Sequence, residues 1–453
     1  MKKKLLLISP VPKDFVNQGT AVPVLKIPPL ALAHMAGLTP RDWQVKIIDE
    51  NKERYDGEEA DIVAMTAMTS AAPRAYEIAQ QLKGTPTKTI LGGIHATVCP
   101  KEASRYVDTV VTGEADAIWP QVLQDAEHGR LKREYKGTPH PMKDLPHPRW
   151  GLFSKSYTFN RFFDLIQTAR GCPMDCDFCS VTSMNGRVQR QRPIDEVLDE
   201  IESLRAPKLL FVDDNIVGHG PRSEERTISL LKGMKERGIR KPWAGQASIN
   251  FIRNKEILKL AYETGCLTLF VGFESLNEKT LKAMHKVRNL KEGVNHYKRA
   301  IDEFHRHNIA IMGGFIFGND EDTPDIFEKT RRFVLESGLD GSQYSILTPL
   351  PGTRLFKKMK EEGRLLYTDF PHDWRYFNVA DITFLPTNMS PQQLVRNVKR
   401  LYQDTMKGPV LYRRALRTLW NTQSLFSTGL SFLWNYGYEK GFCAYHKDIL
   451  LDV

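Results

Sequence analysis

The stretch that decides the fold is Ala169-Arg-Gly-Cys172-Pro-Met-Asp-Cys176-Asp-Phe178-Cys179. It ends a predicted β-strand and holds three of the six cysteines of the chain. Thiolates are soft ligands that suit iron–sulfur clusters and zinc, and three of them in one short loop can converge on one metal centre. We therefore expect a metal centre at the end of this strand.

Two kinds of metal centre fit three thiols. A structural zinc site needs a fourth ligand, and the next plausible one is His219, about forty residues away behind another predicted strand. Three cysteines fit better a 4Fe–4S cluster whose fourth iron is left open to bind another molecule. The remaining cysteines, Cys99, Cys266 and Cys443, stand far apart, which is typical of a protein from a reducing compartment.

From this loop onward, β-like runs alternate with helical patterns, which predicts six βα units. Such units form a full or partial parallel barrel, with the chemistry at the carboxyl ends of its strands. The predicted strands are Leu165–Arg170, Leu209–Val212, Ala244–Ile249, Leu267–Gly272, Ile309–Phe317 and Tyr344–Leu347.

Upstream of the loop, shorter strands and helices alternate from Lys4 to about Glu127, which predicts a separate doubly wound parallel sheet. A stretch with four prolines, Gly137–Arg149, indicates a linker. After Pro391 the pattern is helical and basic. We expect four regions, with boundaries at residues 1–136, 137–157, 158–353 and 354–453.

Composition limits the cellular compartment and the kinds of partner that fit the chain. Of 453 residues, 41% are hydrophobic and 26% charged, and no stretch of about 18 uncharged apolar residues predicts a membrane span. The basic start, Met1–Lys4, precedes only about five apolar residues, which favours a first β-strand in a cytoplasmic protein over a signal peptide. The net charge of +10 fits a polyanionic partner, a membrane surface or an anionic substrate equally well.

The cysteine loop resembles the CxxxCxxC motif of the radical S-adenosylmethionine (SAM) superfamily, with Phe178 in the usual aromatic position. The resemblance implies that Cys172, Cys176 and Cys179 hold a 4Fe–4S cluster whose open iron binds the amino and carboxylate groups of SAM. An electron, delivered by a donor of the flavodoxin or ferredoxin type, then cleaves SAM into methionine and a 5′-deoxyadenosyl radical.

Several polar residues fall where the barrel would place contacts with SAM. A carboxylate can bind the ammonium group of SAM, another can accept both ribose hydroxyls, and an amide or hydroxyl can hold the remaining polar groups. Each of these residues alone would also serve as a helix N-cap, but their order on consecutive strands favours binding. The apolar strand Gly313–Gly318 resembles the one that lies against adenine. The predicted SAM contacts are Phe178, Asp214, Gln246, Ser248, Glu274 and Ile316.

The N-terminal region resembles the cobalamin-binding domain that precedes the barrel in one large subgroup. Glycines at strand ends allow close approach of a ligand, and the resemblance implies that the nucleotide tail lies along two glycine loops. The Asp-x-His-x-x-Gly signature is absent, so we expect a detached base and a lower cobalt face with water or no strong ligand. The predicted contacts are Met68, Thr69, Ser70, Gly92, Gly93, His95, Thr97, Gly113 and Glu114.

The C-terminal region supports two interpretations. The stretches Leu347–Thr353 and Phe377–Gln392 resemble an extension found in members that act on hopanoids and other polycyclic or isoprenoid lipids. The cations and aromatics beyond it fit peripheral docking on the inner face of a membrane, or a helix pair that caps the barrel with its arginines in solvent. They are Tyr412, Arg413, Arg414, Arg417, Trp420, Phe426, Phe432, Trp434, Tyr436 and Tyr438.

These patterns predict a cobalamin-dependent radical SAM enzyme that methylates an unactivated carbon of a small or lipid-like substrate. The resemblance names no catalytic residue. A radical cyclase, oxidase or rearrangement enzyme is the alternative. A tRNA methylthiotransferase would explain the charge but normally has a second set of cysteines in the N-terminal domain, where only Cys99 stands, so no nucleic-acid partner is expected. A cobalamin-binding sensor without catalysis would need no cysteine triad.

Overall fold

A computed structural model of the chain describes residues 3–12, 27–153 and 163–446. The end of the predicted linker, the first residues of the predicted barrel region (158–162) and the last seven residues (447–453) lie outside this described part. The fold class predicted from the sequence is confirmed, with two parallel sheets followed by helices.

The N-terminal domain is a parallel sheet of six strands in the order β2-β1-β3-β4-β5-β6. Because the chain moves to opposite sides of β1, the carboxyl edge of β1 and β3 is the point where such sheets bind ligands. The short edge strand β6 was not predicted, since only its central residue is buried. The strands are β1 Lys4–Ser9, β2 Gln44–Asp49, β3 Ile62–Thr66, β4 Lys88–Gly92, β5 Thr109–Thr112 and β6 Glu134–Lys136, and the helices are α1 Leu30–Leu38, α2 Ala72–Gln81, α3 Gly93–Val98, α4 Pro100–Ala103 and α5 Trp119–Glu127.

The second domain is a partial parallel barrel whose strands follow the order β14-β13-β12-β11-β10-β7. The interior strand β13 is a nearly continuous apolar run because helices cover the outside of the sheet. The strands are β7 Phe163–Ile166, β8 Ala169–Arg170, β9 Arg190–Gln191, β10 Lys208–Phe211, β11 Trp243–Ala247, β12 Cys266–Glu274, β13 Ala310–Phe317 and β14 Gly341–Ile346. The helices are α6 Val181–Asn185, α7 Ile194–Ser203, α8 Pro221–Glu236, α9 Lys255–Glu263, α10 Glu278–Ala283, α11 Val287–Glu292, α12 Tyr297–His305 and α13 Asp325–Glu336.

The first predicted strand of the barrel, Leu165–Arg170, is divided into β7 and β8. The carboxylate of Asp213 accepts hydrogen bonds from the backbone N–H groups of Thr168 (2.6 Å) and Ala169 (2.8 Å) and from the Thr168 hydroxyl (2.7 Å). These backbone groups therefore do not pair with β10. Instead β8 pairs antiparallel with β9, and the cysteine loop begins directly after it.

The C-terminal helices are α14 Arg354–Glu361, α15 Pro391–Met406, α16 Pro409–Thr422 and α17 Leu425–Tyr445. A capping box between Ser390 and Gln393 begins α15. The helices α16 and α17 pack at the amino ends of the barrel strands, where Ser427 donates to the carbonyl of Leu267. This pair therefore closes the barrel on the side opposite the carboxyl ends of the strands.

Two arginines of this pair correct the expectation of solvent-exposed cations. Arg414 is 3% exposed and donates to the Asn435 side chain (2.5 Å) and to the carbonyl of Thr405 (2.8 Å). Arg417 donates to the carbonyls of Leu335 and Leu339. The Arg414 guanidinium is thus buried among its acceptors, and that of Arg417 is half-buried and bound to two backbone carbonyls of the barrel.

The C-terminal extension also touches the N-terminal domain. The indole of Trp374, in the short 3₁₀ helix His372–Tyr376, donates to both carboxylate oxygens of Glu102 at 3.0 Å. Phe370 stacks on Trp374 with ring centroids 3.7 Å apart. The extension thus braces the N-terminal sheet against the barrel. No described helix is long and apolar enough to cross a membrane.

Candidate active site

The three thiols of the cysteine loop line one cavity of about 230 Å³ at the carboxyl ends of the barrel strands. The loop starts at Gly171, whose φ of +91° and close contact with the carbonyl of Val188 leave no room for a side chain. It is held by the amide of Asp177, which donates to the carbonyl of Met284. Contacts within the loop and with the residue that follows α10 thereby fix a segment that has little regular structure of its own.

Without a metal, the thiols are poor acids in this cavity and keep their protons. Burial raises the pKa of Cys172 and Cys179 and raises the pKa of Cys176 to about 11. A bound metal removes the protons from such thiols outright. In the described ranges no three His, Cys, Asp or Glu side chains form a group that would hold a single metal ion, these thiols included.

Most of the predicted SAM contacts share this cavity with the cysteines. Its walls include Phe178 on the loop and Asp214, Gln246, Ser248 and Glu274 at the ends of three barrel strands. Burial raises the pKa of Asp214. The structure therefore brings together polar groups from three different strands and three thiols, as expected for a barrel site.

Two details differ from the expected arrangement. Ile316 on β13 is half-buried but is not among the residues that line the cavity. The carboxylate of Glu274, at a positive φ of 64°, forms an ion pair with Lys286. These contacts with SAM remain predictions.

Lys286, Arg288 and Phe270 are among the lining residues of this cavity that no sequence pattern predicted. Lys286 and Arg288 follow β12 on a helical segment that returns over the cavity, and Phe270 lies on β12 itself. Arg288 contacts the ring of His219, the residue considered above as a zinc ligand. No spacing pattern marks these residues, because the fold of a later segment brings them to the cysteines.

A second cavity, of about 410 Å³, lies at the carboxyl edge of the N-terminal sheet, facing the barrel. Apolar side chains of the sheet form its floor, and α1 with Ala31 and His34 forms one side. The turns after β4 and β5 form its rim. This shape and position suit the nucleotide tail of a cobalamin, and the tail would be held by backbone and apolar groups.

Four of the predicted cobalamin contacts line this cavity, namely Gly92, Gly93, Gly113 and Glu114. Thr97 joins the two glycine turns, because its hydroxyl donates to the carbonyl of Gly93 (2.8 Å) and accepts from the amide of Gly113 (3.0 Å). Gly93 has a φ of +87°, and a Cβ there would lie 2.5 Å from the hydroxyl of Thr66. Glycine is required at this turn by the fold itself.

The other predicted contacts lie outside this cavity. Met68 is 71% exposed, while Thr69 and Ser70 are buried in the 3₁₀ turn that follows it. His95 is fully buried, and its Nε2 lies 2.9 Å from the Tyr76 hydroxyl and 3.2 Å from Glu102. The structure therefore places His95 in the contact with the C-terminal extension, away from the cavity wall.

The short helix α6 separates the two cavities. Val181 and Thr182 line the cavity of the cysteines, whereas Met184 and Asn185 line the cavity of the N-terminal sheet. One helical turn thus has one end in each cavity. Ligands in the two cavities would lie side by side at the junction of the two domains.

Comparison with known proteins agrees with this architecture. Residues 166–334 match the model of the radical SAM superfamily, and residues 19–123 match the B12 binding domain. In overall fold, the chain resembles the radical SAM methyltransferase TsrM from Kitasatospora setae, with a TM-score of 0.71, 16% identity and 99% of each chain covered.

Two curated relatives cover most of the chain. The bacteriochlorophyllide d C-12(1)-methyltransferase of Chlorobaculum tepidum is 31% identical over 427 residues, 91% of this chain and 89% of the relative. The hopanoid C-2 methylase of Rhodopseudomonas palustris is 27% identical over 368 residues, 77% of this chain and 68% of the relative. The predicted 4Fe–4S cluster, SAM and cobalamin are the cofactors that the two matched domains imply. The chain belongs to the radical SAM superfamily, in the group whose members carry an N-terminal B12-binding domain.

Proposed function

We propose that this protein transfers a methyl group to an unactivated carbon of a small or lipid-like substrate. The observation that carries the proposal is the shared wall α6, which has one end in the cysteine cavity and the other in the cavity of the B12-binding domain. When bound, SAM and the cluster supply a 5′-deoxyadenosyl radical, and cobalamin supplies the methyl group. A substrate at this junction would meet both.

The residues of the chain have separable tasks in this proposal. Cys172, Cys176 and Cys179 hold the cluster at the carboxyl ends of the strands. Asp214 and Ser248 orient the polar groups of SAM, and Ser248 is itself held by the side-chain amide of Asn215 at 2.5 Å. Positioning of this kind accounts for much of what a protein contributes to a reaction whose hard chemistry belongs to its cofactors.

The relatives support a small substrate. The activities that name them concern a bacteriochlorophyllide and a hopanoid, and both of these are carbon-rich polycyclic molecules. We extend that class to this chain. The electron that starts SAM cleavage would come from a reduced flavodoxin or ferredoxin.

The exposed side of α16 supports a peripheral membrane contact, at the face of the barrel opposite the cysteines. Trp420 is 85% exposed, Leu416 68% and Tyr412 63%, and their spacing of four residues places them on one side of the helix. The exposed cation Arg413 lies beside them. Such a face suits the interface of a membrane, and its position would anchor the enzyme without delivering substrate to the cavity.

The cysteine loop generates the first prediction. Anaerobically reconstituted wild-type protein should bind about four irons and cleave SAM to 5′-deoxyadenosine. Cys172→Ala, Cys176→Ala and Cys179→Ala should each abolish cleavage, whereas the control Cys99→Ala, outside this cavity, should retain it. Iron analysis and chromatography of the nucleosides provide the readout, and cleavage by any of the three loop variants would contradict the cluster assignment.

The cavity of the N-terminal sheet generates the second prediction. Replacement of Gly93 would strain the turn, so Ala31→Phe is the better probe, since Ala31 lies on α1 with its side chain exposed to the cavity. The ring should fill the cavity and lower cobalamin affinity at least tenfold, a loss of about 1.4 kcal/mol. Absorbance titration with hydroxocobalamin measures this. The matched control is Ala444→Phe, an exposed helix position far from the cavity, and equal affinity of the two variants would refute the assignment.

Methyl transfer itself is tested with SAM that carries a deuterated methyl group. Anaerobic incubation with reductant, cobalamin and lipid or pigment extracts should yield a product that carries the label, together with S-adenosylhomocysteine and 5′-deoxyadenosine. Mass spectrometry measures the product. Substrate consumption with 5′-deoxyadenosine but without label would favour the cyclase, oxidase or rearrangement alternative.

The exposed side of α16 generates a further prediction. Burial of a large apolar side chain stabilises by about 1.5 kcal/mol or more, so Leu416→Ser with Trp420→Ser should weaken binding to anionic vesicles by roughly two orders of magnitude. Co-sedimentation measures the bound fraction. Tyr262→Ser, at an exposed aromatic on the barrel, should leave binding unchanged. If the wild type does not pellet with the vesicles, the membrane contact is contradicted, and α16 and α17 serve only to cap the barrel.

A further inference from the structure

The cluster loop, residues 171–189, leaves and rejoins the barrel at one place. The strands β8 and β9 pair antiparallel at its two ends, and Arg170 lies directly opposite Arg190 in that pair. The loop that carries the three thiols is therefore closed at its base by two adjacent guanidinium groups.

Both guanidinium groups are bound by carboxylates of the B12-binding domain. Arg170 Nη1 lies 2.7 Å from Asp116 and 3.2 Å from Glu114. Arg190 donates to both carboxylate oxygens of Glu114, to one of them at 2.8 Å. On the far side of Asp116, its second oxygen lies 2.8 Å from Nε2 of His34 on α1.

The arrangement is buried and balanced in charge. Glu114 is 5% exposed and Asp116 7%. Buried ion pairs add little net stability, but loss of one partner leaves a largely buried charge without its counter-charge. Two carboxylates against two guanidinium groups thus define one relative position of the two domains.

These ion pairs also bound the proposed cobalamin cavity. Glu114, Asp116 and Arg170 line the cavity of about 410 Å³ while they hold the base of the cluster loop. The same side chains therefore touch the space for one cofactor and the segment that carries the other. Glu114, predicted above as a cobalamin contact, uses its carboxylate for the arginines.

We infer that Glu114 and Asp116 are positioning residues that hold the cluster loop at a fixed distance and orientation from cobalamin. This inference rests on the proposed function, since it requires both cofactors in one molecule. The two carboxylates act through Arg170 and Arg190 and need not touch the reacting atoms.

Contacts within the barrel explain why loss of these ion pairs should displace the cluster loop without unfolding it. Arg354 on α14 donates to the Asp175 carboxylate at 2.6 Å, and the Ser183 hydroxyl donates to the carbonyl of Gly352 at 2.9 Å. The middle of the loop is therefore fixed to the barrel side, independently of Glu114. The two ends of the loop, in contrast, depend on the carboxylates for their position relative to the B12-binding domain.

The test is a distance measurement in the holoenzyme. Dithionite produces paramagnetic cob(II)alamin and a paramagnetic reduced cluster, and pulsed electron paramagnetic resonance reports the distance distribution between the two spins. Wild type should give one narrow distribution. In molecules that hold both cofactors, Glu114→Gln should shift or broaden it, and the control Arg237→Gln, which removes an exposed guanidinium bound to Asp195 and Asp199, should not.

Arg190→Lys serves as a second variant, because it keeps the charge but loses the paired donors to Glu114. It should also broaden the distribution, and it keeps the test decisive if Glu114→Gln fails to fold. Wild-type distributions in the variants, with both cofactors bound, would overturn the positioning role and leave the proposed function intact. Wild-type protein without bound cobalamin would overturn the proposed function, and the inference with it.

Discussion

A buried carboxylate, that of Asp213, turns the chain out of the barrel sheet and so creates the place for a metal. The carboxylate accepts hydrogen bonds from two backbone N–H groups, and these bonds end β7 early. Burial raises the pKa of Asp213 to about 6. Because these amides are satisfied by a side chain, the following residues are free to form the small β8–β9 pair and the loop between its strands. The cavity, the positions of the thiols and the contact with the N-terminal domain all depend on that departure.

The parts of the molecule that the sequence could predict are those decided by neighbours along the chain. The cysteine spacing is local, and the three thiols do line one cavity. Strand limits follow from short apolar runs, as for β13, which is predicted at Ile309–Phe317 and found at Ala310–Phe317. Side chains whose partners are distant in sequence were not predictable. Glu114 meets arginines 56 and 76 residues away, and Arg414 satisfies buried acceptors that no periodicity marks. Composition alone placed Arg414 on the surface, and tertiary packing overruled it.

Three parts of the chain thus form the junction between the two domains. The B12-binding domain contributes a cavity at the carboxyl edge of its sheet, the barrel contributes the cysteine cavity, and α6 lies between them. The C-terminal extension braces the arrangement through Trp374 and closes the far end of the barrel with α16 and α17. Stability and chemistry are therefore separated in space, which is the usual division in parallel α/β barrels.

The position of the two cofactors at one junction is tested by locating both metals in one crystal. Protein reconstituted anaerobically with iron, sulfide, cobalamin and SAM would be measured at the iron and cobalt absorption edges, so that anomalous scattering places each element. We expect iron at Cys172, Cys176 and Cys179, cobalt at the edge of the N-terminal sheet, and both open to one cleft beside α6. Cobalt outside that edge, or a corrin that faces away from the cysteine cavity, would contradict this expectation.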